Sequence, residues 1–238
     1  MSLSGIPYKN DAMRTIFTLD GKGVALALVM GIAVLALGGA SAGPFFLLLL
    51  LSFLIIAYLA TEAGRQIKIK IRTYEQSRGW KNVAANGLVP VVIALLYCAD
   101  VRYAFIPLLA LILAYVGSIA AVAADKFSSE LGVLGGRPFM LLTMERVDRG
   151  VSGAVSPLGF AAGIFGAAII GSAVFFYSGS ALMAAIGLAA GFAGDIVDSL
   201  LGYFEWKGLG NKYTSNIGCT VAGGIVGMLL FLVFGGVI

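Results

Sequence analysis

Asp195 and Asp198 stand three residues apart at the end of a stretch that carries no other charge from Gly150 onward. On a helix that spacing puts both carboxylates on one face. If the span begins near Ala181, Asp195 lies about 21 Å along it at about 1.5 Å per residue, inside an apolar core roughly 30 Å thick. A carboxylate at that depth costs at least a few kcal/mol unless a cation or a polar cavity compensates, and such a cost points to function. Asp125 and Glu130, at the end of another apolar stretch, reach the same depth from a second direction. Hard oxygen ligands from two helices around one cavity are what Mg2+ carrying phosphate ligands requires, so Asp125, Glu130, Asp195 and Asp198 are the candidate metal ligands. Other readings stand beside this one: the aspartates pair with Lys or Arg of neighbouring helices or lie at the interface, and Glu130 is a solvated helix end.

Two further segments could hold an anion. Arg146-Val-Asp-Arg149-Gly-Val-Ser152-Gly153-Ala-Val-Ser156 joins basic side chains to glycines and hydroxyls just before an apolar stretch, where backbone N–H groups at a helix start can cradle phosphate. A glycine-rich loop capping a membrane helix has the same composition. Arg78, Lys81 and Asn86 stand at the entrance to another apolar stretch, and Asn216 does the same for the last one. An amide inside a span can equally bond a neighbouring helix. The series Gly159, Gly163 and Gly166, like Gly187 and Gly191, is read as helix packing.

The elements that must position these groups are transmembrane helices. Hydrophobic residues make up 60% of the 238 and charged residues 12%, with mean hydropathy +0.98. A soluble domain carries about 25% charged residues, so lipid must be the solvent for most of this chain. The expected fold is an all-α polytopic bundle of about seven transmembrane helices, with residues 1–238 forming a single integral membrane domain. From Lys22 to Glu62 the chain is uncharged and too long for one crossing, and Gly38, Gly39, Ser41, Gly43 and Pro44 interrupt it, so a helical hairpin is expected. The basic stretch Arg65 to Lys81 is expected at the membrane surface. Further spans follow from about Val83 to Ala99 and from Tyr103 to Ala124, then two between Gly150 and Gly194 separated at Tyr177-Ser-Gly-Ser180, then one over Tyr213 to Ile238.

Placing the N-terminus inside and the C-terminus outside leaves fifteen of the sixteen basic residues on the cytoplasmic face, with only Arg102 outside. That orientation implies a multi-pass cell-membrane protein with its ionisable chemistry facing the cytoplasm. Met1 to Lys22 is polar and is not expected to be a cleaved signal peptide. Cys98 and Cys219 lie in apolar segments and read as core side chains, and no histidine occurs. The pattern D-x-x-x-S-x-L-G recurs at Asp125 and Asp195, which suggests a parallel internal repeat or a chance match.

The ordered segments Asn86-Gly-Leu-Val-Pro90, Asp125 with Ser129-Glu130-Leu-Gly132, Gly150-Val-Ser-Gly-Ala-Val-Ser156, Asp195 with Asp198-Ser-Leu-Leu-Gly202, and Asn211 with Asn216 resemble the plant phytyl-phosphate kinase and transmembrane protein 19 family. The resemblance implies phosphorylation of an isoprenoid monophosphate, such as phytyl or geranylgeranyl phosphate, to the diphosphate. A nucleoside triphosphate, with CTP favoured, would be the donor and Mg2+ the cofactor; no nucleic acid partner is expected. This chain has Gly150-Val-Ser-Gly153 where many relatives carry Gly-Thr-Asp-Gly, and Asp195 where relatives often carry a neutral residue, so Asp198 is the more trusted carboxylate.

That chemistry suits the residues. A phosphate monoester is already an anionic nucleophile, so attack on a γ-phosphoryl group needs alignment and charge neutralisation more than a general base. Asp125 and Asp198 would be the catalytic pair, with Arg78, Lys81, Asn86, Arg149, Ser152, Gly153, Ser156 and Asn216 binding substrate. No Walker A sequence is present. The competing readings are an ion-coupled secondary transporter using the same intramembrane carboxylates, and a prenyl or nucleotidyl transferase using magnesium and the same lipid phosphate.

Overall fold

The computed structural model describes residues 17–235 and is all-helical apart from one small sheet. Met1 to Ile16, with Lys9 and Arg14, and residues 236–238, at the end of the last expected span, lie outside the described residues. The order is α1 Gly21–Glu62, α2 Arg65–Lys70, α3 Trp80–Tyr103, α4 Leu108–Gly132, β1 Phe139–Met140, β2 Ala154–Val155, α5 Pro157–Ser178, α6 Ala181–Trp206 and α7 Lys212–Phe234. All the helices except α2, six in number among the described residues, are long and apolar enough to cross a membrane.

The first of these is a hairpin. At 42 residues α1 would be about 63 Å long if straight, twice an apolar core of roughly 30 Å. It breaks at Gly39, whose φ of 60° and ψ of −161° suit only a residue without a side chain. Beyond the break the chain returns along itself: a Cβ on Gly43 would overlap the Leu35 carbonyl, and one on Gly31 would meet Leu47 at 3.3 Å. The six long helices therefore supply seven segments of crossing length, the number expected from hydropathy. Pro44 stays within the helical second arm.

Side chains close the helix starts at one end of the bundle. Asp20 accepts from Gly23 N–H (2.6 Å), Ser156 from Gly159 N–H (3.0 Å), and Asn211 forms a capping box with Thr214. At the other end lie Gly39, the Tyr103–Pro107 connection and the Ser178–Ser180 turn. There Asp100 Oδ1 accepts from the Phe105 and Ile106 N–H groups at 2.7 and 2.8 Å, which explains a carboxylate in the last turn of α3.

The centre of the bundle is α4, unbroken in burial from Ala110 to Ala124 and in contact with α1, α3, α5, α6 and α7. Small residues let its neighbours approach. A Cβ on Gly117 would overlap the Gly223 carbonyl of α7, and one on Gly191 of α6 would come within 2.7 Å of the Ala120 side chain. Gly159, Gly163 and Gly166 face α4 or α6 in the same manner, as the packing reading expected. The acidic segment Asp125 to Glu130, expected to follow the span, is its last helical turns.

Candidate functional site

At the capped end, a cavity of about 440 Å³ opens where the last turns of α4 and α6 meet the first turns of α3, α5 and α7. The connector residues Ile71 to Thr73 and the loop Arg149 to Ser156 complete its wall. That loop is held by β1 and β2, which pair antiparallel with Met140 opposite Ala154, and by Gly153, whose φ of +75° lets it press against the Gly202 backbone of α6. Gly132 likewise abuts the Ser156 hydroxyl, so the glycines ending both copies of the D-x-x-x-S-x-L-G pattern rest on this one loop.

Asp125, Asp195 and Asp198 all line the cavity. The helical rise puts Asp125 about 10 Å, Asp198 about 12 Å and Asp195 about 16 Å in from the ends of α4 and α6. Asp195 is buried, and its Oδ1 accepts from Ser128 Oγ of α4 at 2.6 Å. The Asp125 and Asp198 carboxyl groups lie within hydrogen-bonding reach of each other, and Asp198 Oδ1 is buried with no partner among the described residues. Two carboxylates that face each other and leave an oxygen unsatisfied suit a divalent cation between them. No group of three or more acidic or thiol side chains gathers as a metal cage among the described residues. A magnesium ion here would complete its shell from water and phosphate oxygens, as that ion commonly does.

Glu130 is placed differently from expectation. Its Oε1 takes Arg78 at 2.8 Å, Lys126 at 2.7 Å and Thr61 Oγ1 at 3.1 Å, and its Oε2 takes Lys68 at 2.7 Å. With its lone pairs committed to three cations, Glu130 anchors a buried ionic cluster and is not a free metal ligand. Lys68, expected at the membrane surface, is fully buried: its other two donors go to the Ala60 and Thr61 carbonyls at 2.8 and 2.9 Å, closing the end of α1. Glu130 still lines the cavity, whereas Arg78 does not. It donates to Glu75, Thr61 and Glu130, so its role is to hold the connector to α1 and α4. Lys81 is exposed, 5.9 Å from the Trp80 ring, and stands away from the cavity.

The remaining expected residues do line the cavity: Asn86, Arg149, Ser152, Gly153, Ser156 and Asn216. Asn216 Nδ2 donates to Asn86 Oδ1 at 2.9 Å, and Asn86 in turn donates to Asn82 at 3.2 Å, so amides of α3 and α7 form one chain. Ser156 is engaged as a helix cap and as a donor to the Gly132 carbonyl at 3.1 Å, which favours the structural reading of that hydroxyl.

Residues that sequence reasoning missed include Lys126, Lys212, Thr73 and Glu205, all on the cavity wall. Lys126 was visible as the i,i+4 partner of Glu130; Lys212 and Thr73 carried no local signal. Glu75, outside the spans, pairs with Lys212 at 3.2 Å and with Arg78 at 2.9 Å. Burial pushes its carboxyl up, but Lys212, Lys126 and Arg78 together outweigh that and hold it below the usual range.

Comparison with known proteins agrees with this membrane architecture. The profile of the family described as integral membrane protein DUF92 matches residues 13–207. The chain is 38% identical over 215 residues to an uncharacterized membrane protein of Methanocaldococcus jannaschii, covering 90% of this chain and 86% of that relative. No solved structure matches. The chain thus belongs to the DUF92 family of integral membrane proteins.

Proposed function

We propose that this chain is a membrane-embedded phosphotransferase that converts an isoprenoid monophosphate, such as phytyl or geranylgeranyl phosphate, to the diphosphate, with a nucleoside triphosphate, CTP favoured, as donor. The observation that carries the reading is the facing pair Asp125 and Asp198, with its unsatisfied oxygen, in a polar cavity at one end of an otherwise apolar bundle. In the reaction an oxygen of the acceptor phosphate attacks the γ-phosphorus, the bond to the β–γ bridging oxygen breaks, and the nucleoside diphosphate leaves with the electron pair. Magnesium held by Asp125 and Asp198 would supply charge neutralisation for the triphosphate.

The chain's own residues do the positioning. Arg149 lies on the cavity wall, where its charge would offset an anion, and Ser152 and Gly153 line the same wall. The linked amides of Asn86 and Asn216 can orient oxygen or base atoms. Arg78 and Glu130 act through others, fixing the connector and α4. The prenyl tail needs only the lipid that surrounds the exposed apolar faces of the helices.

Charge distribution supports a cytoplasmic site. Among the described residues every Lys and Arg except Arg102 belongs to the end that carries the cavity. The buried half of α4 beyond Val122 is apolar toward the other end except for the hydroxyls of Ser118 and Tyr115, which bond Tyr115 O at 2.8 Å and Phe46 O at 3.0 Å. A site open to one side suits an enzyme better than alternating access.

The test is to incubate the purified full chain with prenyl monophosphates, Mg2+ and each nucleoside triphosphate, and to follow diphosphate product. Wild-type protein forms product, and Asp198→Asn and Asp125→Asn lose at least about 100-fold in rate. Full turnover in either variant, or solute uptake into proteoliposomes without nucleotide, would overturn the reading.

A further inference from the structure

Five charged side chains form an alternating chain beside the cavity. Lys212 pairs with Glu75 at 3.2 Å, Glu75 with Arg78 at 2.9 Å, Arg78 with Glu130 at 2.8 Å, and Glu130 with Lys126 at 2.7 Å. Both ends are lysines, and both line the cavity. Glu130 also holds Lys68, so four cations share two carboxylates and positive charge is left over.

The surplus is not spread evenly. Lys68 has three N–H donors and three acceptors, namely the Ala60 carbonyl, the Thr61 carbonyl and Glu130 Oε2, so it is fully used. Lys126 has the same three donors and, among the described residues, the single partner Glu130. Lys212 has, among the described residues, only Glu75. Neither lysine is needed to neutralise its carboxylate, because Lys68 and Arg78 already hold Glu130 and Arg78 already holds Glu75. A cation that is spare for structure, low in free partners and set on a cavity wall is a cation available for a ligand.

A third group points the same way. Thr73 Oγ1 is buried on that wall without a partner among the described residues, and the Thr73 methyl lies 3.0 Å from where a Cβ on Gly150 would stand, next to Arg149. A buried hydroxyl without a partner is costly in water-free surroundings and is satisfied by an acceptor arriving from the cavity. The same cavity carries Asp195, Asp198 and Glu205, and the charges of Lys126 and Lys212 reach Asp125.

We propose that Lys126, Lys212 and Thr73 form a phosphate-anion site, in which the two lysines turn from Glu130 and Glu75 toward the phosphate oxygens of a bound ligand. The ligand is a phosphate ester, either the polyphosphate of the nucleotide donor or the head group of the prenyl acceptor. This assignment rests on the phosphotransferase reading for the names of its ligands, but not for the existence of the site.

The site is tested by binding without turnover. The purified full chain, in detergent with a chelator to remove divalent metal, is titrated separately with CTP and with geranylgeranyl monophosphate. For at least one ligand, Lys126→Met and Lys212→Met each weaken binding about tenfold or more, the usual loss of a charge-assisted hydrogen bond, while Lys126→Arg and Lys212→Arg retain most of it. Which ligand is weakened tells donor from acceptor. Wild-type affinity for both ligands in both methionine variants overturns the site, as does a wild-type chain that binds neither. Thermal unfolding separates the site from misfolding, since each carboxylate keeps a cation in these variants. Loss of binding in the lysine variants of a chain that makes no diphosphate would leave the site standing and remove the reaction. Unchanged binding with full product formation would do the reverse.

Discussion

Glu130 illustrates what a single residue can and cannot announce. A carboxylate near the end of an apolar helix reads as a metal ligand or as a solvated terminus, yet here it receives Lys68 and Arg78 from 62 and 52 residues away. Those partners are set by how α1, the connector and α4 come together, and no spacing within the sequence encodes that. Removing the anion leaves Lys68 and Lys126 without a carboxylate and Arg78 with Glu75 alone, so Glu130→Gln should cost about 3–5 kcal/mol in detergent unfolding, while Lys126→Met costs clearly less because Lys68 and Arg78 still hold Glu130. Equal losses in the two variants would contradict the cluster. Glu75 makes a second, pH-dependent case. Its carboxyl is held below the ordinary value of 4.5, so its contribution is present above that pH and lost as the medium is acidified through the folded value. Between neutral pH and about pH 4, wild-type unfolding temperature should fall more than that of Glu75→Gln. Asp125, Asp198, Asn86 and Asn216 were legible because a polar group inside a span is expensive wherever it occurs.

At the scale of elements, legibility followed length. Helices of more than twenty residues in lipid show themselves by hydropathy, and the break at Gly39 showed itself by a run of small residues. The paired strands, two residues each, are too short for any periodicity to register, although they shape the loop on the cavity wall. α6 continues to Trp206, past both aspartates, so these lie inside a helix that projects beyond the apolar run. The close approach of α4 to α7 depends on glycines facing each other's backbones. Gly223→Val would force a side chain into the Gly117 carbonyl and should cost about 1–3 kcal/mol, with activity falling in parallel as Asp125 moves from α6. Gly136→Ala meets nothing within 4 Å and should leave stability within about 0.5 kcal/mol. Comparable unfolding of the two variants would show that glycine packing does not set the site.

The whole molecule presents a bundle that is apolar over most of its length and polar at one end, and that asymmetry fixes how it should sit in a membrane. With Cys98 and Cys219 replaced by alanine, a membrane-impermeant thiol reagent should label Lys207→Cys only from the cytoplasmic side and Arg102→Cys only from the opposite side. The reverse pattern would invert the topology and move the cavity away from cytosolic nucleotide. The segment count and basic asymmetry were readable from hydropathy and charge alone. That α4 occupies the centre, and that α4 and α6 carry their aspartates to one cavity, follows from packing between helices far apart in sequence.

On the proposed reading, Asp125 of α4 and Asp198 of α6, which both line the cavity, together hold a divalent cation. Electron paramagnetic resonance of Mn2+ added to the purified chain measures this directly, with Mn2+ standing in for magnesium. The expected result is one bound ion per chain, displaced by Mg2+ and lost in both Asp125→Asn and Asp198→Asn. Undiminished Mn2+ binding in either variant, or none in the wild type with pyrophosphate present, would contradict it.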